Sequence, residues 1–501
     1  MIQFGLETEI GIARDSEGEL DVVAESIALV RSAPKTGVWM RWDYRMEDPH
    51  ADMRGFRVEA LRQDTDEANY FAADARRELS FEEIKSDLVL TNGARFYNDH
   101  AHPEYCTPEC STLAELLAHD RAGELILMAA AARLSEQRGA KVRLYKNNTD
   151  FFGHSYGCHE NYLVPRSLPW EGMAAQMQAF LVTRQIFAGA GKFAMEEEDR
   201  FDGPGFQISQ RSDFFSELQS VDTMQRRPII NTRDEPHANP ALHRRFHVII
   251  GDANMSPFAT WLKVGATALT LRAVESGRMG RAPELADPLL SLRAISRDAS
   301  WRWELALKGG KASTAVAVQR AYLAGVRGAG LELSGEDGAL LAEWGRALDD
   351  LERDPMACHD RLDWVAKLKM VREFQEAQAI SDDDPWLRSL DLEYHRLDLE
   401  EGLYFALEQS GRMVRMVGER ECRLAMISPP ETTRARIRGR CVARFPSSIL
   451  SAQWDHVTLR TAEGPLRISL NDLFNPGDVI RYAEAVERAS EPGDLWPLAQ
   501  P

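Results

Sequence analysis

An α+β fold is what the sequence predicts: a curved antiparallel sheet packed by helices in a large unit, then a small C-terminal unit. Three observations predict it. Short β-prone stretches carry Glu, Tyr, Asp, His, Arg and Asn two residues apart, so each gathers polar side chains on one face. Helical patterns connect these stretches, and from about 313 to 410 apolar residues recur at helical spacing. The chain also lacks the GxxxxGKS/T loop and a GxGxxG turn between strand and helix, and its GxSxG string, Gly153-His-Ser-Tyr-Gly157, runs into a β-prone stretch and so is not a strand-to-helix elbow; these are the marks of parallel-sheet folds.

Composition narrows the class. The 501 residues are 44% hydrophobic and 28% charged, the balance of a water-soluble globular chain with room for more than one structural unit. No apolar run is long enough to cross a bilayer, and the start, Met-Ile-Gln-Phe-Gly-Leu-Glu, lacks the basic flank and apolar core of a secretory signal. Six cysteines in so long a chain form no disulfide framework, so a reducing cytoplasm is expected. A net charge of −18 excludes a broad phosphate-tracking surface, hence no nucleic-acid partner, but permits a local basic groove for an acidic ligand.

The elements follow in order. Gln3 to Ile12 reads as a strand with Glu7 and Glu9 on one face. Adjacent carboxylates persist when solvated at an edge, or when a hard cation lies between them. A helix follows near Val22 to Arg31. Residues 39–85 are mixed in charge and poor in branched apolar side chains, which predicts a mobile excursion, lid or disordered loop. Its Trp42-Asp43-Tyr44 end is expected to be anchored and its Asp64 to Glu83 portion loose.

The stretch from Ser86 to Tyr105 carries the most information. Ser86 to Thr91 is apolar and β-prone, and Asn92-Gly93 suits a tight turn. An extended Arg95 to Asp99 puts Arg95, Tyr97 and Asp99 on one face, with Glu104 just beyond Pro103. Such a row is costly to bury unless its charges meet partners, a metal or a ligand; the alternative is a sheet edge facing water. Cys106 and Cys110, with His100 and His102, match no common zinc spacing.

Thr112-x-x-Glu115 is a capping box opening a helix to about Gln137, with Leu113, Leu116, Leu117, Leu125, Met128 and Ala132 as its apolar side. A strand over 141–146 leads through glycine-rich turns to another in which His159 and Asn161 share a face. A helix from Pro169 to Ala188 is expected to be capped by Ser167. Further strands are read in 205–212, 227–237 and 244–254. In the last, Arg245 and His247 lie opposite Phe246 and Val248, a pairing that suits phosphate and metal. Ser256-Pro257 opens a helix to about Ser276. The rows Ala315-Val316-Gln319-Tyr322-Leu323, Leu340-Leu341-Trp344-Leu348-Leu351 and Trp364-Leu368-Val371-Phe374 read as core and partner faces. Pro429-Pro430 breaks the chain. Beyond it, 434–444, 453–459 and 466–470 read as short strands of a small closing unit.

These pieces point to a metal- and nucleotide-using α+β enzyme, with an ATP and Mg²⁺ site built across an antiparallel sheet. Several long motifs then become recognisable. Glu7-Thr-Glu9-Ile-Gly, Asn92-Gly-Ala-Arg-Phe-Tyr-Asn-Asp-His-Ala-His-Pro-Glu-Tyr, Lys146-Asn-Asn-Thr-Asp, Ser155-Tyr-Gly-Cys-His-Glu-Asn-Tyr, Ile230-Asn-Thr-Arg-Asp-Glu-Pro-His and His247-Val-Ile-Ile-Gly-Asp-Ala-Asn-Met resemble the Pup ligase and deamidase family, in order and through Trp454. The resemblance implies a glutamine synthetase-like fold, with residues 1–430 as catalytic domain, 39–85 as an insertion in it, and 431–501 as a small C-terminal domain.

It also implies roles. Asp99 matches the family's catalytic aspartate. Glu7, Tyr97, Glu104, His159 and His247 match metal positions, with Glu9 a neighbour; Arg95, Thr107, Asn161, Arg245 and Trp454 match nucleotide contacts. The implied cofactors are Mg²⁺ and ATP, or ADP plus phosphate, and the implied partners are the small protein Pup and pupylated proteins. One activity in the family joins the C-terminal glutamate of Pup to lysines; the other hydrolyses the corresponding amide or isopeptide bond. The long insertion, with Arg41-Trp-Asp-Tyr and Arg54-Gly-Phe, resembles the deamidase. Glu7-Thr-Glu9, His119-Asp-Arg-Ala-Gly and Thr433-Arg-Ala-Arg resemble the ligase. The insertion favours hydrolysis, with the ligase and a non-catalytic Pup-binding protein as alternatives. The helix after Thr112 and the groove beside Asp99 are the expected contacts for Pup.

Overall fold

A computed structural model describes residues 2–15, 20–34, 37–39, 41–61, 76–193, 205–223, 226–382 and 384–499. Its centre is a nine-stranded sheet in the order Phe215–Ser220, Arg227–Asn231, His243–Val248, Cys158–Pro165, Phe4–Glu9, His102–Cys106, Arg95–Asp99, Leu88–Leu90, Gly37–Trp39. Every neighbouring pair is antiparallel except the first, which is parallel. The antiparallel sheet with helices that the sequence predicts is therefore present.

Register explains why one face is polar. Residues directly opposite on antiparallel strands project to the same side. Glu7 lies opposite both His159 and Cys106, and Glu9 opposite Glu104. Tyr97 lies opposite Glu104 and Asp99 opposite His102; Asn161 lies opposite His247 and Leu163 opposite Arg245. The alternating residues Phe4, Leu6, Tyr162, Val164, Phe246 and Val248 form the other face and enter the main core with helices Trp170–Thr183 and Pro257–Glu275. Phe96 and Tyr105 do the same against helices Val22–Arg31 and Leu113–Arg138. Burying this side holds the register, because a one-residue slip would turn every polar side chain into the core.

The helical region is as expected, with helices Ala315–Gly328, Gly335–Arg353, Asp363–Gln378, Trp386–Tyr394 and Leu403–Gln409. Residues 435–499 gather a separate apolar cluster from helices Ala435–Arg444 and Pro476–Arg488 and strands Ile449–Gln453, His456–Thr461 and Gly464–Ser469.

Several expectations are corrected. Residues 434–444 form a helix, not a strand. Arginines at alternate positions imitate a two-residue period, but Ile437 and Cys441 are buried at helical spacing. Helix Trp170–Thr183 starts after Pro169 with no side-chain cap, since Leu168 N–H turns back to the Pro165 carbonyl (3.1 Å) and leaves Ser167 outside. In helix Leu113–Arg138 the buried row continues through Leu127, Ala131 and Leu134, and Ala132 is exposed. Of 205–212, only Phe206–Gln207 is strand.

The 39–85 excursion is ordered where it is described. Arg41–Trp42 pairs in parallel with Ile449–Gln453, Trp42 and Asp43 are buried, and Ala51–Asp52 pairs with Phe56–Arg57. Residues 64–75 of the portion expected to be loose lie outside the described residues; Phe81–Lys85 is a short helix with a Ser80/Glu83 capping box.

Candidate active site

The polar face of the sheet floors a cleft of about 590 Å³, a size suited to a small-molecule ligand. Glu7, Glu9, Arg95, Tyr97, Asp99, Glu104, His159, Arg245, His247 and Trp454 all line it. A narrower recess adds Thr107, Asn161 and Arg434 and shares Glu7, Cys106, His237, Arg245 and Trp454 with the cleft. Every site residue expected from the sequence thus lines the cleft or the recess beside it.

Two groups of possible metal ligands stand side by side. Glu7, His159 and His247 form one and Glu9, Asp99 and Glu104 the other, with ligating atoms within 4.8 Å of one another in each. In the first, Glu7 Oε2 is 3.4 Å from His159 Nδ1 and 3.6 Å from His247 Nε2. Burial alone would raise the Glu7 carboxyl, but the His159 hydrogen bond and the Arg245 charge outweigh it and hold Glu7 below the usual range. His247 is pushed well down by burial and by the Arg245 charge, so it stays neutral, and both ring nitrogens are buried with no hydrogen-bond partner. In the second group, burial and the charges of Asp99, Glu7 and Glu9 push Glu104 well up. A divalent cation would relieve each of these features, and carboxylate oxygens with neutral imidazoles are a donor set that fits one.

Asp99 ends the Arg95–Asp99 strand at a tight hairpin whose next residue, His100, adopts positive φ (53°). Lys85 Nζ lies 2.6 Å from Asp99 Oδ1, and His100 Nδ1 lies 3.3 Å from the same oxygen. Burial opposes ionisation of Asp99, but these two neighbours overcome it and hold the carboxyl well below its ordinary range. It is therefore an anion, the state needed by a nucleophile or a base.

The expected nucleotide contacts flank this centre. Arg245 bridges Glu235 (3.1 Å) and Asn161 Oδ1 (3.3 Å). Arg95 is bound to Asp87 (2.9 Å from Nε) and to the Tyr44 hydroxyl (2.6 Å), and stacks on Tyr97 (3.7 Å) and Trp42 (4.1 Å). The Thr107 hydroxyl accepts the Leu6 N–H (3.0 Å), fixing the recess wall. Half-buried Trp454 has Arg438 over its ring at 4.8 Å and Trp42 against its edge at 5.3 Å.

Sequence reasoning assigned no role to Lys85, Asp87, Arg211, Arg227 or Arg233. Lys85 and the three arginines also line the cleft, so that with Arg95 and Arg245 six cationic side chains stand among eight carboxyl groups there. Arg233 stood inside a quoted motif, but nothing in its spacing marked it as a cleft residue. Of the 26 residues of the long helix after Thr112, 12 are buried, and its exposed residues include Ala132, Arg133 and Glu136 to Arg138 near its end.

Residues 3–458 match the family described as Pup-ligase protein. A depupylase from Acidothermus cellulolyticus is 42% identical over 468 residues, covering 90% of this chain and 90% of that protein. A Pup–protein ligase from Paenarthrobacter aurescens is 43% identical over 390 residues, covering 75% and 84% respectively. Among solved structures, the ligase PafA in complex with the prokaryotic ubiquitin-like protein Pup superposes with a TM-score of 0.78 at 31% identity, covering 100% of this chain and 95% of that one. PafA in complex with ADP superposes at 0.74 and 33% identity, covering 87% and 98%. The glutamine synthetase-like architecture implied by the motifs is the one shared with these structures.

Proposed function

The chain belongs to the Pup-ligase protein family, and on that premise we propose that it is a nucleotide-dependent deamidase of Pup and depupylase. It would hydrolyse the side-chain amide of a C-terminal glutamine of Pup and the isopeptide bond joining Pup to lysine. The observation that carries this reading is the segment between Trp39 and Asp87. Its described residues Tyr44, Glu47, Pro49, Leu61 and Lys85 line the space that holds Asp99. The longer match to the depupylase than to the ligase relative is in keeping with it.

The chemistry asks for little beyond what the chain holds. Water adds to the amide carbon, the C–N bond breaks with its electron pair on nitrogen, and that nitrogen takes a proton, leaving a carboxylate and ammonia or a lysine amine. Asp99 is the anion positioned to attack that carbon or to take the proton from water. Glu7, Glu9, Glu104, His159 and His247 would hold Mg²⁺, with Tyr97 beside them, and Arg95, Thr107, Asn161, Arg245 and Trp454 would hold ATP or ADP plus phosphate. When bound, the cation supplies charge neutralisation for the phosphates. Hydrolysis of an amide needs no phosphorylated intermediate, so the nucleotide serves as a bound cofactor. Residues 1–430 would form the catalytic unit and 431–501 a small unit covering the recess through Trp454. All six cysteines are free and buried, which suits a reducing cytoplasm; no helix among the described residues is long and apolar enough to cross a membrane.

The second reading is a Pup–protein ligase, favoured by the full-length match to the PafA complex. Asp99 would then deprotonate an incoming lysine. Incubation with glutamine-terminated Pup, Mg²⁺ and ATP separates the two: ammonia release without ATP consumption is expected. ATP-driven conjugation of glutamate-terminated Pup to lysine, with no ammonia released, would overturn the hydrolase.

A further inference from the structure

Lys85 is the last residue of the short helix Phe81–Lys85, and its ammonium sits 2.6 Å from the catalytic-candidate oxygen of Asp99. The contact is held in place. Ser86 adopts positive φ (49°), turning the chain sharply after Lys85. The Asn98 amide, beside Asp99, donates to the Ile84 carbonyl and to the His100 carbonyl at 3.0 Å each. The ammonium also lies over the Tyr97 ring at 5.6 Å. Its side chain is only 17% exposed, against 23% for Asp99.

We propose that Lys85 is a specificity-determining residue that stands in for a target lysine at Asp99. The inference rests on the hydrolase reading above. The two substrates of that reading share their acyl half and differ only in the leaving nitrogen: one departs as ammonia, the other as an amine carrying a four-carbon arm. In both, the proton lifted from water must reach that nitrogen, so the nitrogen must pass close to the Asp99 carboxylate. Lys85 fills this place with the same chemical group, an ammonium on an aliphatic arm. Ammonia is small enough to leave beside it. An isopeptide nitrogen brings its own arm and can reach Asp99 only when Lys85 withdraws. Lys85 therefore handicaps the isopeptide relative to the primary amide.

The test compares the full-length protein with Lys85→Ala and Lys85→Met, the latter keeping side-chain length without charge. Each is assayed with nucleotide and Mg²⁺ on glutamine-terminated Pup and on Pup joined to a lysine of a carrier protein. The ratio of kcat/KM for isopeptide to that for amide is expected to rise by about 3-fold or more in both variants. A purely structural or charge-holding role for Lys85 would lower both activities together and leave the ratio unmoved, which would overturn the inference while the hydrolase stands. Wild-type protein that hydrolyses neither substrate would sink both readings.

Discussion

His247 Nε2 lies 3.6 Å from Glu7 Oε2, a contact made between two strands that flank Cys158–Pro165 in the sheet. Imidazole and carboxylate project to the same side because the antiparallel register aligns Glu7 with His159 and Asn161 with His247. The imidazole is buried, neutral and without a hydrogen-bond partner, and packs edge-on against the His159 ring at 5.1 Å.

Loss of either partner should weaken divalent-cation binding. Glu7→Gln and His247→Ala are each expected to reduce Mn²⁺ affinity by about 10-fold or more, measured by electron paramagnetic resonance of free Mn²⁺. Unchanged affinity in both variants would remove this trio from the metal site.

Asp99→Asn keeps size and removes the anion. Turnover should fall by roughly 10²–10⁴-fold, while the rise in Tm on adding ADP and Mg²⁺ stays as in the wild type. Activity retained at the wild-type level would show that another group does the chemistry.

Acid should loosen the attachment of the C-terminal unit. Glu109 is held between Arg434 (2.7 Å), which precedes helix Ala435–Arg444, and Arg438 (2.5 Å) within it. Burial opposes its charge, but the two arginines overcome it and bring the carboxyl to about 2. A carboxyl lowered on folding contributes stability above its unfolded value near 4.5 and loses it as pH falls toward 2. The full contribution is about 3 kcal/mol. In urea titrations from pH 6 to pH 3, Glu109→Gln should therefore show a shallower decline in stability than the wild type. Parallel declines would refute the clamp.

Backbone contact at the same joint gives a packing prediction. A Cβ on Gly439 would lie 2.2 Å from the Thr91 carbonyl oxygen, whereas one on Gly338, in helix Gly335–Arg353, would meet nothing within 4 Å. Gly439→Ala should cost roughly 1–3 kcal/mol and lower Tm. Gly338→Ala should add about 0.5–1 kcal/mol. Equal effects at the two sites would show that the close approach does not constrain the joint.

Much of this was legible before folding because the signals are local. The period of two placed Arg95, Tyr97 and Asp99 together, and Glu7 with Glu9, since a strand cannot present them otherwise. The Thr112/Glu115 capping box marked a helix start that the structure keeps. Asn92-Gly93 marked a turn, and Gly93 takes φ 79° there. Where two periods competed the sequence misled: alternate arginines in 434–444 read as a strand, yet pairing with Glu109 and burial of Ile437 and Cys441 make a helix.

From sequence alone the chain determined which residue types share a strand face, that the fold is α+β and which family its motifs belong to. Only the tertiary structure decided how those faces meet. Strand order sets Glu7 between His159 and Cys106, and chain reversal at Ser86 sets the Lys85 ammonium on Asp99. These contacts join residues far apart or across a sharp turn, and their energy comes from burying the opposite face of the sheet, a term no local pattern encodes.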